Sequence, residues 1–442
     1  MKSVFAFLLL LCALPAAAHA QSFSVSDARM DDWNVRILGA GRFGTQGPAV
    51  AGSSVVWWRE GRTRAWLMVA SADAPPRRIL SVRNTSPILH VAAFGNRAIA
   101  QQWGTFYEVD VPTGSAKTMD PCFGDAACSS CRARSGAGHF EHELVGTVLA
   151  VGQKYGSICQ SGAVHDYADG ATRRFPGPVL AAAGTYAVVR EATRMALFNW
   201  RTGQRLRTLG PGPFSDGYKR QVAVDEHGTV VFAALTDRTT RNPFGASDEV
   251  RLAGGLLAQR RDIADTDFDE EHGVRSHSVF WVSRPDGSQT RRVRGQRTGG
   301  GWDFDGRRLA WATQPCMQIT IQLWDLAGDP PAPASERCGV PRVRTARLKY
   351  RDTAVSFTAV CPRHPARGCD GDMHAVIRRA SGGPRVDLTF KTPIHLAAGD
   401  HRGTGVTTGS ARALRKIRGP FRVRFIFESH GRRTAVSRIV RR

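Results

Sequence analysis

From Pro48 to about Val340 the chain alternates short apolar runs with brief polar breaks, and the alternation has a long period. A glycine opens an apolar run, a variable loop follows, and a second apolar or aromatic run comes next. A tight turn and a basic, strand-like segment close the unit. Two copies read GSSVVWW…AWLMVASADAPPRRIL and GTYAVVRE…MALFNWRTGQRLRTL. The opening glycines are Gly52, Gly95, Gly146, Gly184, Gly228 and Gly306, and the turns centre on Asp73, Gly114, Gly170, Gly203, Gly287 and Gly328. Five of the six glycine-to-turn separations lie between 19 and 24 residues and one is 59, which reads as an insertion. Another short segment precedes most opening glycines, as in ILHVAAFG and GWDFDG. Each unit is therefore a meander of four short strands.

Four-stranded units of roughly 40–50 residues predict a β-propeller, here of about six blades. A blade is covered on both faces by its neighbours, so an inner strand can be apolar at successive positions. Val55-Val56-Trp57-Trp58 fits that demand: the two indoles point to opposite faces, each toward a neighbouring blade. The segment NVRILGAG from Asn34 reads as an outermost strand that latches the last blade, and a seventh, partial blade stays open. The insertion from about 237 to 276 has few apolar anchors and is expected to be mobile. These repeats resemble the TolB-like and WD-repeat-like propellers of secreted bacterial proteins. The resemblance covers about 290 residues and implies a fold, not an activity.

From Pro341 the pattern changes to RVRTARLKYR, TAVSFTAVCP, MHAVIRRA, RVDLTFKT, PFRVRFIFES and RRTAVSRIV, strands separated by Gly, Pro and Asp turns. ARALRKIRG (411–419) reads as a helical turn or two. The chain is thus expected to be all-β, with a propeller over 21–340 and a small antiparallel sandwich over 341–442. Cys361-Pro362 ending one strand and Gly368-Cys369-Asp370-Gly371 starting the next resemble a C-terminal immunoglobulin-like module of exported actinobacterial proteins. That resemblance implies a Cys361–Cys369 disulfide closing a hairpin, and no catalysis.

The first twenty residues, MKSVFAFLLLLCALPAAAHA, have a positive start, a short apolar core and an Ala-x-Ala end. They read as a signal peptide cleaved before Gln21. Leu11 stands before Cys12 where a lipoprotein signal needs a small residue. Export then frames the rest. The formal charge is +23, and residues 341–442 hold 20 Arg and 3 Lys against 5 Asp and 1 Glu, a surplus of 17. An arginine-heavy composition accounts for part of this; attraction to an anionic cell-wall polymer, lipid headgroups or nucleic acid is the functional reading. Export speaks against nucleic acid.

Eight cysteines remain after cleavage: Cys122, Cys128, Cys131, Cys159, Cys316, Cys338, Cys361 and Cys369. An even number in an exported chain predicts disulfides. Propeller topology places the first six on one rim, where loops between blades meet loops joining strands two and three. Cys128-x-x-Cys131 lies between blades and not at a helix start, against a redox role. Cys159 stands alone where a zinc site needs a second close pair. Pairing among Cys122, Cys128, Cys131 and Cys159 stays open, with Cys131–Cys159 preferred because those two are nearest in sequence.

Other motifs fall short. His139 and His142 in HFEHE are three apart, so on a strand they face opposite sides and read as strand-surface residues. Asp265, Asp267 and Asp269 alternate as in a calcium loop, but Glu270 stands where that loop needs glycine. His90, His165, His227 and His277 are scattered, with core or surface roles expected. No nucleophile-elbow, Walker-type or dinucleotide-binding motif stands in the right context, and no cofactor or metal is expected. The resulting expectation is a non-enzymatic binding or scaffold protein of the cell envelope. Its propeller rim would hold a protein or glycan partner, and its basic C-terminal domain would contact anionic wall material. The alternative is a propeller hydrolase or lyase acting on a glycan, lactone or peptide at the central channel. Three or more ionisable side chains converging on that channel would favour the enzyme; an apolar plug would favour the scaffold.

Overall fold

A computed structural model describes residues 22–26, 47–60, 63–83, 89–102, 105–124, 140–153, 161–191, 194–210, 222–233, 249–264, 276–294, 301–313, 320–332, 338–349, 354–363, 368–379, 386–396, 399, 401–407, 421–429 and 432–440. Among these residues every regular element is a β-strand. Among them no helix is long and apolar enough to cross a membrane. The signal segment 1–20, NVRILGAG, His139, Asp265, Asp267, Asp269 and ARALRKIRG lie outside the described residues.

The protein is all-β and propeller-like. Up to Asp325 the described strands form seven small antiparallel sheets, six of four strands and one of two. Their first strands are Ala49–Ala51, Leu89–Phe94, Phe140–Val145, Val179–Ala183, Val222–Val224, Glu249–Ala253 and Trp302–Phe304. Each touches the next, and the seventh touches the first, so the cycle is closed. Seven opening glycines turn each first strand into its second in the left-handed region, from Gly184 (φ 54°) to Gly306 (φ 94°). A side chain there would strain the turn, which is why glycine recurs.

Two expectations need correction. The segment 237–276 is not one mobile insertion, because Glu249–Ala253 and Leu256–Ala264 are the first two strands of the sixth sheet. Gly254 (φ 55°) is that sheet's opening glycine. The 59-residue gap merged two units, one opening at Gly228 and one at Gly254, so seven sheets stand where six were counted. The latch is also a different segment. Phe23–Ser26 pairs antiparallel with Thr320–Asp325, Phe23 opposite Leu323, and supplies the outer strand of the seventh sheet. The Ser22 hydroxyl secures its start by donating to the Asp329 carbonyl at 2.6 Å.

Packing between sheets follows the double-faced pattern. Trp57 joins a cluster with Ala310, Ile321 and Leu323 of the seventh sheet, while Trp58 joins one with Val91 and Ala93 of the second. The basic fourth strands also have a structural purpose. An arginine on a fourth strand donates to backbone carbonyls in a hairpin of the following sheet. Arg77 reaches Val111 O and Pro112 O at 2.8 and 2.7 Å, Arg173 reaches Arg201 O at 3.0 Å, and Arg207 reaches Gly228 O at 3.3 Å. Arg291 reaches Leu326 O and, at 2.8 Å, Gly328 O. Charge-assisted bonds to carbonyls are among the stronger ones, so part of the positive charge fastens neighbouring sheets together.

The remaining seven strands form a three-stranded and a four-stranded sheet. The first joins Arg342–Lys349, Ala354–Val360 and His401–Thr407; the second runs Val386–Leu396, Cys369–Arg379, Phe421–Ser429, Arg432–Val440. Val343, Val355 and Phe357 of one sheet share a core with Ile377, Val423 and Phe425 of the other, which makes a sandwich. Cys361 and Cys369 are disulfide-bonded, with Cα atoms 5.7 Å apart. Their strands belong to different sheets, so the bond ties the sandwich across its core and does not close a hairpin. Cys122 and Cys338 are each disulfide-bonded as well. Cys128, Cys131, Cys159 and Cys316 lie outside the described residues.

Candidate functional site

The first strands of the seven sheets surround the ring axis, and three of them carry a charge there. Glu143 belongs to the third sheet, Arg251 to the sixth and Asp303 to the seventh. Each stands three residues before its opening glycine: Gly146, Gly254 and Gly306. In the first, second and fourth sheets that position holds Ala49, Ala92 and Ala181; in the fifth it holds Asp225, which lies beyond the strand and accepts the His227 and Thr229 backbone N–H groups of its own turn. Small residues on one part of the ring leave room for long charged ones on the other.

Arg251 uses that room. Its Nη1 lies 3.1 Å from Glu143 Oε1 and its Nη2 lies 3.1 Å from Asp303 Oδ1. The third and sixth sheets are not neighbours, so the Arg251–Glu143 ion pair crosses the axis. The Asp303 contact has ion-pair distance without hydrogen-bond alignment at Oδ1, while its Oδ2 accepts the Val50 backbone N–H at 2.8 Å. The side chains of Arg251 and Asp303 are 4% and 5% exposed and that of Glu143 is 14% exposed, so Glu143 is the member nearest to solvent. Burial alone would lower the Arg251 pKa. The carboxylates of Asp303, Glu143 and Glu249 outweigh it and hold the guanidinium above its ordinary value. The Arg251 Nε–H is buried and has no hydrogen-bond acceptor.

A second polar group adjoins the first between the sixth and seventh sheets. The Trp302 indole donates to Glu249 Oε2, Arg260 approaches the same oxygen at 3.5 Å, and Arg260 Nε donates to Ser278 Oγ at 3.0 Å. On the other face of the sixth sheet Gln259 is fully buried, and neither end of its amide has a partner. Among the described residues the axis thus carries ionisable groups beside its alanines.

The histidines do not gather at this point. His142 is 1% exposed, which corrects its reading as a strand-surface residue: a first strand is covered on both faces. Its ring meets His90, with ring nitrogens 3.3 Å apart, and lies 2.8 Å from the Ile99 carbonyl oxygen. His165 stacks on Phe123 near the outer strands, and burial, its largest influence, lowers its pKa. His227 is an exposed turn residue beside Glu226. A separate cavity of about 330 Å3 opens between the first hairpins of the second and third sheets. There Arg97 stacks over Tyr167 at 4.1 Å and pairs with Glu108 at 3.1 Å. Burial raises the Tyr167 pKa. Among the described residues no three His, Cys, Asp or Glu side chains are grouped to hold a metal ion.

Sequence reasoning missed all three axis residues. They lie 108 and 52 positions apart, and Arg251 sat inside the segment read as an insertion. The available signal was a charge recurring three residues before the opening glycine, a rule that also selects the turn-capping Asp225.

No protein-family model matches the chain, and no curated protein matches it. Among solved structures, tricorn protease covers 90% of this chain at 10% identity with a TM-score of 0.20. Two structures of puromycin hydrolase cover 77% at 12% identity, with TM-scores of 0.37 and 0.39. The chain spans 44% of the first and 62% of the second, less than two thirds of either. These propeller-type neighbours are likenesses of fold. They are named as a protease and a hydrolase, which is said of those proteins. The scaffold expectation is corrected on the axis itself, where three ionisable side chains converge.

Proposed function

We propose that the protein is a propeller hydrolase whose reaction takes place at the ring axis. The observation that carries this reading is the bridge from Glu143 through Arg251 to Asp303, drawn from three sheets and set among alanines. In this reading Glu143 is the general base that activates water, since it is the most accessible of the three. Arg251 orients that carboxylate. Its unpartnered Nε–H offers a donor to the oxyanion that forms when water adds to an acyl carbon. Asp303, fixed by the Val50 N–H, holds Arg251 in place. The fold around the site is a seven-bladed propeller over 21–340, followed by an immunoglobulin-like sandwich over 341–442. The chain is exported after loss of residues 1–20, with Cys131 joined to Cys159 and Cys122 to Cys128.

The test is a hydrolysis screen of the purified mature chain against aminoacyl p-nitroanilides, p-nitrophenyl glycosides and a simple aryl lactone. One class is expected to turn over, and Glu143→Gln is expected to lower kcat at least about a hundredfold, the usual worth of a general base. Equal rates for wild type and Glu143→Gln, or no turnover of any class, would sink the reading.

A further inference from the structure

The face of the four-stranded sandwich sheet turned away from its core carries three exposed arginines that no acid among the described residues answers. Along Cys369–Arg379 and Phe421–Ser429 alternate side chains enter the core, among them Ala375, Ile377, Val423 and Phe425. Arg378, Arg422 and Arg424 stand between them, exposed. The register sets Arg378 directly opposite Arg422, with Arg424 two positions further along. Like charges directly opposite, roughly 5 Å apart, destabilise a sheet.

The same face shows what an answered cation looks like. Arg433 lies 3.5 Å from Glu428 and its guanidinium is 3.4 Å from the His374 ring nitrogen. Arg378, Arg422 and Arg424 have no ion pair, hydrogen bond or ring contact among the described residues. The acid closest in register, Asp387, stands opposite Val376 and not opposite an arginine. The trio also differs from the propeller arginines, whose guanidinium groups are spent on hairpin carbonyls.

A fourth residue decides what kind of anion fits. Ile439 stands opposite Arg422 on the next strand and is 61% exposed. One row across the sheet therefore reads Arg378, Arg422, Ile439. The exposed large hydrophobics among the described residues are Phe94, Leu206, Val340 and Ile439, so the described part of this face offers no aromatic platform on which a nucleic-acid base would stack. A polymer of free phosphates uses the cations and leaves the isoleucine idle. A lipid surface uses both.

We propose that this sheet face docks on an anionic lipid surface. Arg378, Arg422 and Arg424 bond headgroup phosphates through their guanidinium forks, and Ile439 enters the interface beside them. The phosphates relieve the repulsion between Arg378 and Arg422. This proposal is independent of the reaction assigned to the ring axis.

The test is co-sedimentation of the full chain with vesicles of phosphatidylglycerol and phosphatidylcholine, against vesicles of phosphatidylcholine alone. Binding is expected only to the anionic vesicles and is expected to weaken with salt. Each cation near such a surface is worth about fivefold in binding, so the triple variant Arg378→Gln, Arg422→Gln, Arg424→Gln is expected to bind about a hundredfold more weakly. Arg433→Gln is expected to change binding less than twofold, and Ile439→Ser to weaken it severalfold. The triple variant loses a like-charge contact and keeps its core, so its denaturation midpoint is expected to match or exceed that of the wild type. Equal binding to neutral vesicles, or a triple variant within threefold of wild type, overturns the proposal. So does displacement from vesicles by inorganic polyphosphate or single-stranded DNA with Ile439→Ser binding as wild type, which would make the occupant a free polyanion.

Discussion

Replacing Arg251 with methionine removes the cation between Glu143 and Asp303 and keeps much of the side-chain volume. Two carboxylates then face a buried axis without their counter-ion. Removing one partner of a buried ion pair costs about 3–5 kcal/mol, because the remaining charge stays uncompensated. The local geometry places this case at the lower end. Glu143 is 14% exposed and can recover water, while Asp303 keeps the Val50 N–H on Oδ2. A loss of about 3 kcal/mol at pH 7 is expected, most of it from Asp303. A buried carboxylate left without its counter-ion disfavours folding as an anion and not as a neutral acid. Urea denaturation followed by tryptophan fluorescence at pH 7 and pH 4 reads both numbers, with a smaller deficit expected at pH 4. The triple variant Arg251→Met, Glu143→Gln, Asp303→Asn is expected to regain most of the loss, since neutral groups need no counter-ion. A deficit under about 1 kcal/mol at pH 7, or one unchanged at pH 4, would mean that the bridge does not span a dry axis.

Two further predictions follow from the ring. Asp305 lies in the hairpin after Trp302–Phe304, and burial, against backbone bonds from Arg307 and Arg308, raises its pKa. Its charged form is therefore disfavoured by folding, so Asp305→Asn is expected to stabilise the protein at neutral pH, with the gain fading as pH falls toward the unfolded carboxylate range; denaturant midpoints across that range would show it. Arg291 donates to Leu326 O and Gly328 O and lies 4.7 Å from the Trp324 ring centroid. Arg291→Ala is expected to cost about 2–3 kcal/mol in urea denaturation, and a loss below about 0.5 kcal/mol would show that the sheet-to-sheet bonds add nothing.

Much of the fold was legible because its signals are local. A turn glycine with positive φ, a hairpin and a doubly apolar strand each declare themselves within ten residues. Trp57 and Trp58 pack against opposite neighbours as their adjacency required. The sixth sheet was lost because its opening glycine follows a long stretch without a recognisable third and fourth strand, so Gly228 was joined to the turn at Gly287. The axis site was illegible for a different reason. Glu143, Arg251 and Asp303 meet only when the ring closes, and no single repeat contains more than one of them. The register that sets Arg378 beside Arg422 was equally hidden, since both look like ordinary strand-surface cations until their strands are paired.

The outer strand of the seventh sheet comes from Phe23–Ser26, about 300 residues before its partner Thr320–Asp325. During synthesis the sheets between can form one after another while this strand waits. The entropy of closing so long a loop grows only logarithmically with its length, so delay, not cost, is the burden. Until closure the last sheet presents the bare edge of Thr320–Asp325, a template for pairing with another chain. The protein is thus most exposed to misassembly at the last moment of its folding. Proteolytic loss of Phe23–Ser26 would make that moment permanent.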